Sequence, residues 1–129
     1  MNILGIGNDL CDVGRMAGVI QRHGQRFLDT TFTQAEQALA RRQLDPPSFY
    51  AGRFAGKEAF LKALGTGIAE DIHWTDIEIL ASPSGQPVTT ISGGTLIQLR
   101  LLGEGTAAVH LSIAHHARFA TAFVVLSDA

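Results

Sequence analysis

Cysteine, proline and long apolar runs are all scarce in this 129-residue sequence. The single cysteine, Cys11, excludes an intrachain disulfide and is typical of a protein in the reducing cytosol. No apolar run approaches the roughly 20 residues that a membrane-spanning helix needs, and the N-terminus lacks the basic start and apolar stretch of a signal peptide. The sequence therefore predicts a soluble, cytoplasmic protein.

A strong excess of charge of either sign is also absent. Ten basic and twelve acidic residues give a formal net charge of −2, so no global positive field is available for nonspecific nucleic-acid binding. Hydrophobic residues make up 46% of the chain, which is enough for one core, and the fourteen glycines form no linker or repeat. We expect one domain spanning residues 1–129, which meets any charged partner through a local patch.

Apolar spacing and turn residues predict an α+β chain. A short buried strand at residues 3–6 would carry the chain to Asp9 at the strand's end. The capping-box pair Thr33 and Glu36 predicts a helix start, and Gly65 a helix end. Helices are expected at residues 13–29, 34–43, 49–64 and 95–102, and strands at 77–79, 87–91, 107–113 and 119–126. This order favours helices packed on a mainly antiparallel sheet.

Glu58 is out of place on its predicted helix. It projects from the middle of the apolar side, next to Ala55 and Leu61. Burying an unpaired carboxylate costs several kcal/mol, so Glu58 must be neutral, paired with a cation or bound to a metal. The simplest alternative to a metal is an i,i+4 pair with Lys62, one turn further along the helix.

Asp9 is a second carboxylate at a predicted strand end. Two hard oxygen ligands suit Mg²⁺, which rarely uses an all-protein cage, whereas the alternative for Asp9 is a turn or capping role. Gly5-Ile6-Gly7 is not a dinucleotide-binding fingerprint, because Leu10 stands where the third glycine belongs and no βαβ unit follows.

Four motifs occur in order along the chain: Gly5-Ile6-Gly7-Asn8-Asp9-Leu10, Arg53-Phe54-Ala55-Gly56-Lys57-Glu58-Ala59-Phe60-Leu61-Lys62-Ala63, Gly65-Thr66-Gly67-Ile68 and Leu111-Ser112-Ile113-Ala114-His115. Together they resemble the holo-acyl-carrier-protein synthase family. The resemblance implies the 4'-phosphopantetheinyl transferase fold. It also implies that 4'-phosphopantetheine is transferred from coenzyme A to a serine hydroxyl of apo acyl carrier protein, with adenosine 3',5'-bisphosphate as the leaving group. The chain departs from the family at Gly56, usually alanine, and at Gln86, usually lysine.

The resemblance also assigns site residues. It implies that Asp9 and Glu58 bind Mg²⁺ together with the pyrophosphate of coenzyme A, and that Lys62 neutralises charge on the phosphate oxygens. It places Arg53 and His115 near the 3'-phosphate of coenzyme A, because guanidinium and imidazole groups are good phosphate donors. The alternative for His115 is an ordinary hydrogen-bonded turn histidine.

Two other charged residues receive structural interpretations. Lys57 falls away from Glu58 on the helical wheel, and we expect it to support at most the fold or the cofactor's outer phosphates, with a solvated face as the alternative. Glu36 is a candidate acceptor for the serine proton, but its capping box with Thr33 is a sufficient reason for its presence.

Three arginines mark a partner surface. Arg15, Arg22 and Arg26 are spaced to form one stripe on the first helix. The alternative is an ordinary solvated surface. Acyl carrier proteins are acidic, and the family docks them through basic residues of this helix, so the resemblance implies a docking stripe. It also implies a homotrimer with active sites between subunits and the apolar last strands in the interface.

Two rival functions use part of the same residues. A magnesium-dependent diphosphohydrolase would need the two acids and a lysine but not the arginine stripe. A non-catalytic module that binds a carrier protein would keep Arg15 and Arg22 and could lose Asp9 or Glu58. Because both sets are present, the sequence favours the transferase.

Overall fold

Five strands and four α-helices make up the chain, and the computed structural model describes all residues from 1 to 129. The strands are β1 (Ile3–Asp12), β2 (Ile77–Ala81), β3 (Pro87–Ile91), β4 (Ala108–His116) and β5 (Phe119–Ser127). The helices are α1 (Val13–Thr31), α2 (Gln34–Ala40), α3 (Pro46–Leu64) and α4 (Gly93–Leu102), and a short 3₁₀ turn covers Trp74–Asp76. No helix combines the length and the apolar character needed to cross a bilayer.

All strand pairing is antiparallel. One sheet has the order β1-β5-β4, and β2 and β3 form a separate hairpin. Helix α3 packs across the sheet, so that its apolar residues and the inward side chains of β5 build the larger core. The glycines of β1 permit this contact, because a Cβ added to Gly7 would lie 2.0 Å from the carbonyl oxygen of Ala59. The predicted α+β architecture, with helices on a mainly antiparallel sheet, is confirmed.

Strand β1 is longer than its apolar start suggested. It continues to Asp12, because β5 pairs with it residue by residue as far as Phe119. Asp9 therefore lies inside the strand, opposite Ala122, and not at its end. The predicted stop at residue 6 was wrong, since cross-strand hydrogen bonds hold the polar second half of β1 in place.

Helices α1 and α3 also differ from their predicted forms. Helix α3 begins at Pro46, because the Asp45 side chain caps it by accepting from the Ser48 amide at 3.3 Å, and prolines are tolerated in the first turn. The helix therefore begins three residues before the predicted start at residue 49. Helix α1 is kinked at Gly24, whose φ of 58° favours glycine. Gly65 ends α3 in the left-handed conformation, as predicted.

Candidate active site

Two cavities meet at Asp9. The first, which we call the carboxylate cavity, has a volume of about 520 Å³ and is lined by Asp9, Glu58 and Arg15 together with apolar residues of α1, α3 and β5. The second, about 490 Å³, lies along β1 and β5 and contains Asp9 and Lys62. The structure thus brings Asp9 of β1 together with Glu58 and Lys62 of α3, which are distant from it in sequence.

Lys62 pairs with Asp9. Its Nζ donates to Asp9 Oδ1 at 2.9 Å and to the Asn8 carbonyl oxygen at 3.0 Å. The hydrogen bond and the negative charge of Asp9 raise the pKa of the Lys62 ammonium, so this group stays protonated at neutral pH. The expected alternative, an i,i+4 pair between Glu58 and Lys62, does not form. Tertiary packing of α3 against β1 offers Lys62 a better partner.

Glu58 is a half-buried carboxylate without an ion pair. Burial raises its pKa, and the negative charge of Asp9 raises it further, while Lys62 offsets part of the effect. Two carboxylates that share a cavity and repel one another are stabilised by a cation between them. Glu58 therefore lacks a cationic partner within the protein, as its position on the apolar side of the helix predicts.

This pair of carboxylates fits Mg²⁺. The ion binds through one or two carboxylates and keeps oxygen ligands from water or phosphate, which requires open space beside the acids. The carboxylate cavity supplies that space. No group of three or more histidine, cysteine, aspartate or glutamate side chains forms a metal-binding cluster in the chain, and two hard oxygen donors suit magnesium better than a softer metal.

Cys11 also lines the carboxylate cavity. Burial, followed by the negative charges of Asp9 and Asp12, raises the pKa of its thiol to about 11. The group therefore remains a neutral thiol at physiological pH, and thiols are poor nucleophiles. These surroundings indicate that Cys11 is a small packed residue and not a nucleophile.

Arg53 and His115 lie outside both cavities. Arg53 is buried, donates from Nε to the Ile79 carbonyl and from Nη2 to the Leu80 carbonyl, both at 3.1 Å, and stacks over an aromatic ring of α3. It therefore joins α3 to β2. His115 is exposed at the end of β4, with Nε2 3.0 Å from the Ser48 carbonyl oxygen. The structure does not bring either residue to Asp9 and Glu58.

Lys57 supports the fold, and the alternative of a solvated face does not hold. Lys57 and Glu36 are both fully buried, with Nζ and Oε1 2.7 Å apart. Glu36 completes the predicted capping box with Thr33, and enclosure on all sides excludes it as an acceptor for a substrate proton. One sequence signal pointed to this outcome, because α3 is apolar on most of its sides and such a helix is buried all round.

The three arginines of α1 lie on two helical segments that are separated by the kink at Gly24. Arg15 lines the carboxylate cavity, and Arg22 is exposed on the same regular segment of the helix. The kink at Gly24 separates Arg26 from this segment, so the predicted straight stripe of three is interrupted. Arg15 and Arg22 remain on one continuous helical face.

Sequence patterns missed the apolar wall of the carboxylate cavity. Phe27, Phe54 and Phe119 line it beside Glu58, together with Met16 and Val19. At the level of sequence these residues are indistinguishable from ordinary core positions, because an apolar side chain has the same spacing whether it packs inside or lines a cavity.

Comparison with known proteins points to one group. A family model described as the 4'-phosphopantetheinyl transferase superfamily matches residues 5–124. A holo-[acyl-carrier-protein] synthase of Brucella ovis is 46% identical over 126 residues, which cover 96% of this chain and 94% of that protein. The crystal structure of the synthase from Neisseria meningitidis superposes with a TM-score of 0.88 at 31% identity, covering 98% and 100% of the two chains. The Bacillus anthracis synthase, solved in complex with CoA (3',5'-ADP), gives 0.80 at 33% identity, covering 98% of each chain.

Proposed function

The chain belongs to the 4'-phosphopantetheinyl transferase superfamily and is an enzyme of its holo-[acyl-carrier-protein] synthase group. We propose the following reaction for this enzyme. It transfers 4'-phosphopantetheine from coenzyme A to a serine hydroxyl of an apo acyl carrier protein and releases adenosine 3',5'-bisphosphate. The reaction depends on magnesium and takes place in the cytoplasm, where a single unpaired thiol stays reduced.

One observation carries the proposal. Asp9 and Glu58 share a cavity, and Lys62, which lines the adjoining cavity, pairs with Asp9. Phosphoryl transfer asks a protein mainly to position the nucleophile and the phosphorus and to neutralise charge on the oxygens. Two metal-ligating carboxylates with an adjacent ammonium group are suited to these tasks.

The roles of the individual residues follow from their charge. Asp9 and Glu58 would hold Mg²⁺, which when bound supplies positive charge that stabilises the pyrophosphate oxygens. Lys62 is half-exposed and protonated, so its ammonium would donate to an oxygen of the same pyrophosphate. His115, exposed at the end of β4, would bind the 3'-phosphate. Arg53 would support that region by holding β2 on α3.

A mass measurement tests the reaction. The protein is incubated with coenzyme A, Mg²⁺ and an apo carrier protein, and the carrier is weighed by mass spectrometry. We expect the mass of phosphopantetheine to be added, and no addition in samples without coenzyme A or with the metal chelated. Cleavage of coenzyme A without any gain in carrier mass would favour the diphosphohydrolase, and no change with several carriers would favour the non-catalytic module.

We propose that the face of α1 that carries Arg15 and Arg22 docks the acidic carrier protein. Replacing Arg22 with glutamate should raise KM for the carrier protein about tenfold at low salt, with KM for coenzyme A unchanged, because exposed interface charges act on encounter with the partner. Arg100→Glu is the matched control, since Arg100 is an exposed arginine on α4. An equal rise in both KM values for Arg22→Glu would contradict the docking role.

We also propose a homotrimer with active sites between subunits. Its support is an exposed apolar face on the three-stranded sheet, where Ile6, Leu10 and Phe123 keep 56%, 57% and 49% of their surface open. Clustered apolar exposure of this kind marks an interface. Leu10 and Phe123 also line the cavity that holds Lys62, so a second copy seated on this face would complete that cavity.

The trimer has its own test. Phe123→Lys should shift the protein from trimer to monomer in light scattering coupled to size exclusion, and transfer should fall at least about tenfold, because a charge in an apolar interface is unpaired. Ile97→Lys is the control, since Ile97 is a similarly exposed isoleucine on α4. A wild-type protein that is monomeric at working concentration and fully active would refute the proposal.

A further inference from the structure

The ion pair between Lys57 and Glu36 is completely enclosed. Lys57 Nζ donates to Glu36 Oε1 at 2.7 Å, to the Thr31 carbonyl at 2.8 Å and to the Trp74 carbonyl at 3.1 Å, which uses all three of its N–H groups. Glu36 Oε2 accepts from the Ile79 amide at 2.8 Å. Apolar residues of similar volume are often as stable as a buried ion pair, so stability alone is a weak reason for this one.

One acceptor of Lys57 leads to a wall of the carboxylate cavity. Thr31 is the last residue of α1, the helix that contributes Phe27 to that cavity. The Phe27 ring packs edge-on against Phe32, with ring centroids 6.0 Å apart, and the Lys57 ammonium lies 5.1 Å from the Phe32 ring centroid. Lys57 thus holds the end of α1 against α3 where Phe27 enters the cavity.

A second acceptor leads to another aromatic residue of the same cavity wall. The Trp74 carbonyl binds Lys57, and the Trp74 ring packs on Phe54, with centroids 5.1 Å apart. Phe54 lies one turn before Glu58 on α3 and lines the same cavity. Lys57 is therefore connected to both Phe27 and Phe54, although it neither lines the cavity nor contacts the Glu58 carboxylate.

We propose that Lys57 is a positioning residue, which together with Glu36 sets the apolar wall formed by Phe27 and Phe54 relative to Glu58 and so shapes the surface that the carrier protein meets. This inference rests on the proposed function. An ammonium held by three acceptors on three different elements has little freedom, so it fixes the distance between those elements. A displacement of such a wall by about 1 Å can lower the rate of a reaction by up to about 10²-fold.

A double variant separates positioning from stability. Lys57→Met/Glu36→Gln removes both charges together and leaves no unpaired charge in the core. We expect KM for the carrier to rise about tenfold, with kcat and KM for coenzyme A changed by less than about twofold. Trp74 is the only tryptophan in the chain, so its fluorescence reports on the wall directly and should shift to longer wavelength as the contact with Phe54 loosens.

Ser127→Ala is the matched control for a general loss of stability. It deletes the hydrogen bond of a buried hydroxyl, between Ser127 Oγ and His110 Nε2 at 3.0 Å, away from the carboxylate cavity and from the Trp74–Asp76 turn. We expect a lower Tm and unchanged KM values for both substrates. A tenfold rise in carrier KM in this control as well would overturn the inference, because any destabilised variant would then behave alike.

The carrier KM of the double variant decides whether Lys57 positions the wall. A folded double variant with the wild-type carrier KM overturns the inference, whereas a wild-type protein that modifies no carrier defeats the proposed function itself. If the double variant does not fold, Phe54→Leu trims the wall directly. An unchanged carrier KM in that variant also overturns the inference, and a selective rise supports it.

Discussion

Replacing Glu58 with glutamine should lower the rate of phosphopantetheine transfer by about 10³-fold, the scale on which loss of a central electrostatic stabiliser acts. Glutamine keeps the size of the side chain but removes the negative charge that we propose as a magnesium ligand. The measurement is the time course of carrier modification by mass spectrometry at saturating coenzyme A. Glu70→Gln is the control, because Glu70 is an exposed glutamate outside both cavities.

The same variant should be slightly more stable than the wild type at neutral pH without metal. Because burial and Asp9 raise the pKa of Glu58 in the folded protein, folding favours its protonated form. The associated stability is present below the ordinary pKa and is lost as the pH rises through the raised value. Glutamine is neutral at every pH and avoids this loss.

A Glu58→Gln protein with near wild-type transfer activity would contradict the proposed role of Glu58 as a magnesium ligand.

Replacing Lys57 alone with methionine should lower the free energy of unfolding by about 3–5 kcal/mol, because it leaves the enclosed Glu36 carboxylate without a cation. Urea unfolding followed by circular dichroism gives the value. Lys62→Met is the matched control on the same helix, since its pair with Asp9 is half-exposed and should contribute far less to stability than the enclosed pair. A change below about 1 kcal/mol for Lys57→Met would show that Glu36 is stabilised without it.

Local signals in the sequence were reliable where the relevant contacts are local. The capping box of Thr33 and Glu36, the helix end at Gly65 and the two strands β2 and β3 depend on residues close in the chain, and all are confirmed. Where partners come from distant segments, the predictions failed. The second half of β1 is held by β5, more than a hundred residues away.

The two charged neighbours on α3 show the same division. The helical wheel correctly marked Glu58 as anomalous, because its position among apolar residues is a property of one helix. It could not show that Lys57 is enclosed, since the groups that enclose it belong to α1, α2 and the turn before β2. Arg53 was likewise predicted as a phosphate ligand, whereas in the structure its donors bind carbonyls of β2.

The family, the fold class and the candidate acids were determined by the sequence, because motifs, periodicity and capping residues act within short stretches of chain. Only the tertiary structure decided that Asp9 and Glu58 share a cavity, that Lys62 turns to Asp9 and not to Glu58, and which aromatic side chains line the wall. These outcomes depend on which surfaces of α1, α3 and β1 meet. That choice depends on the packing of the whole core, which no single segment specifies.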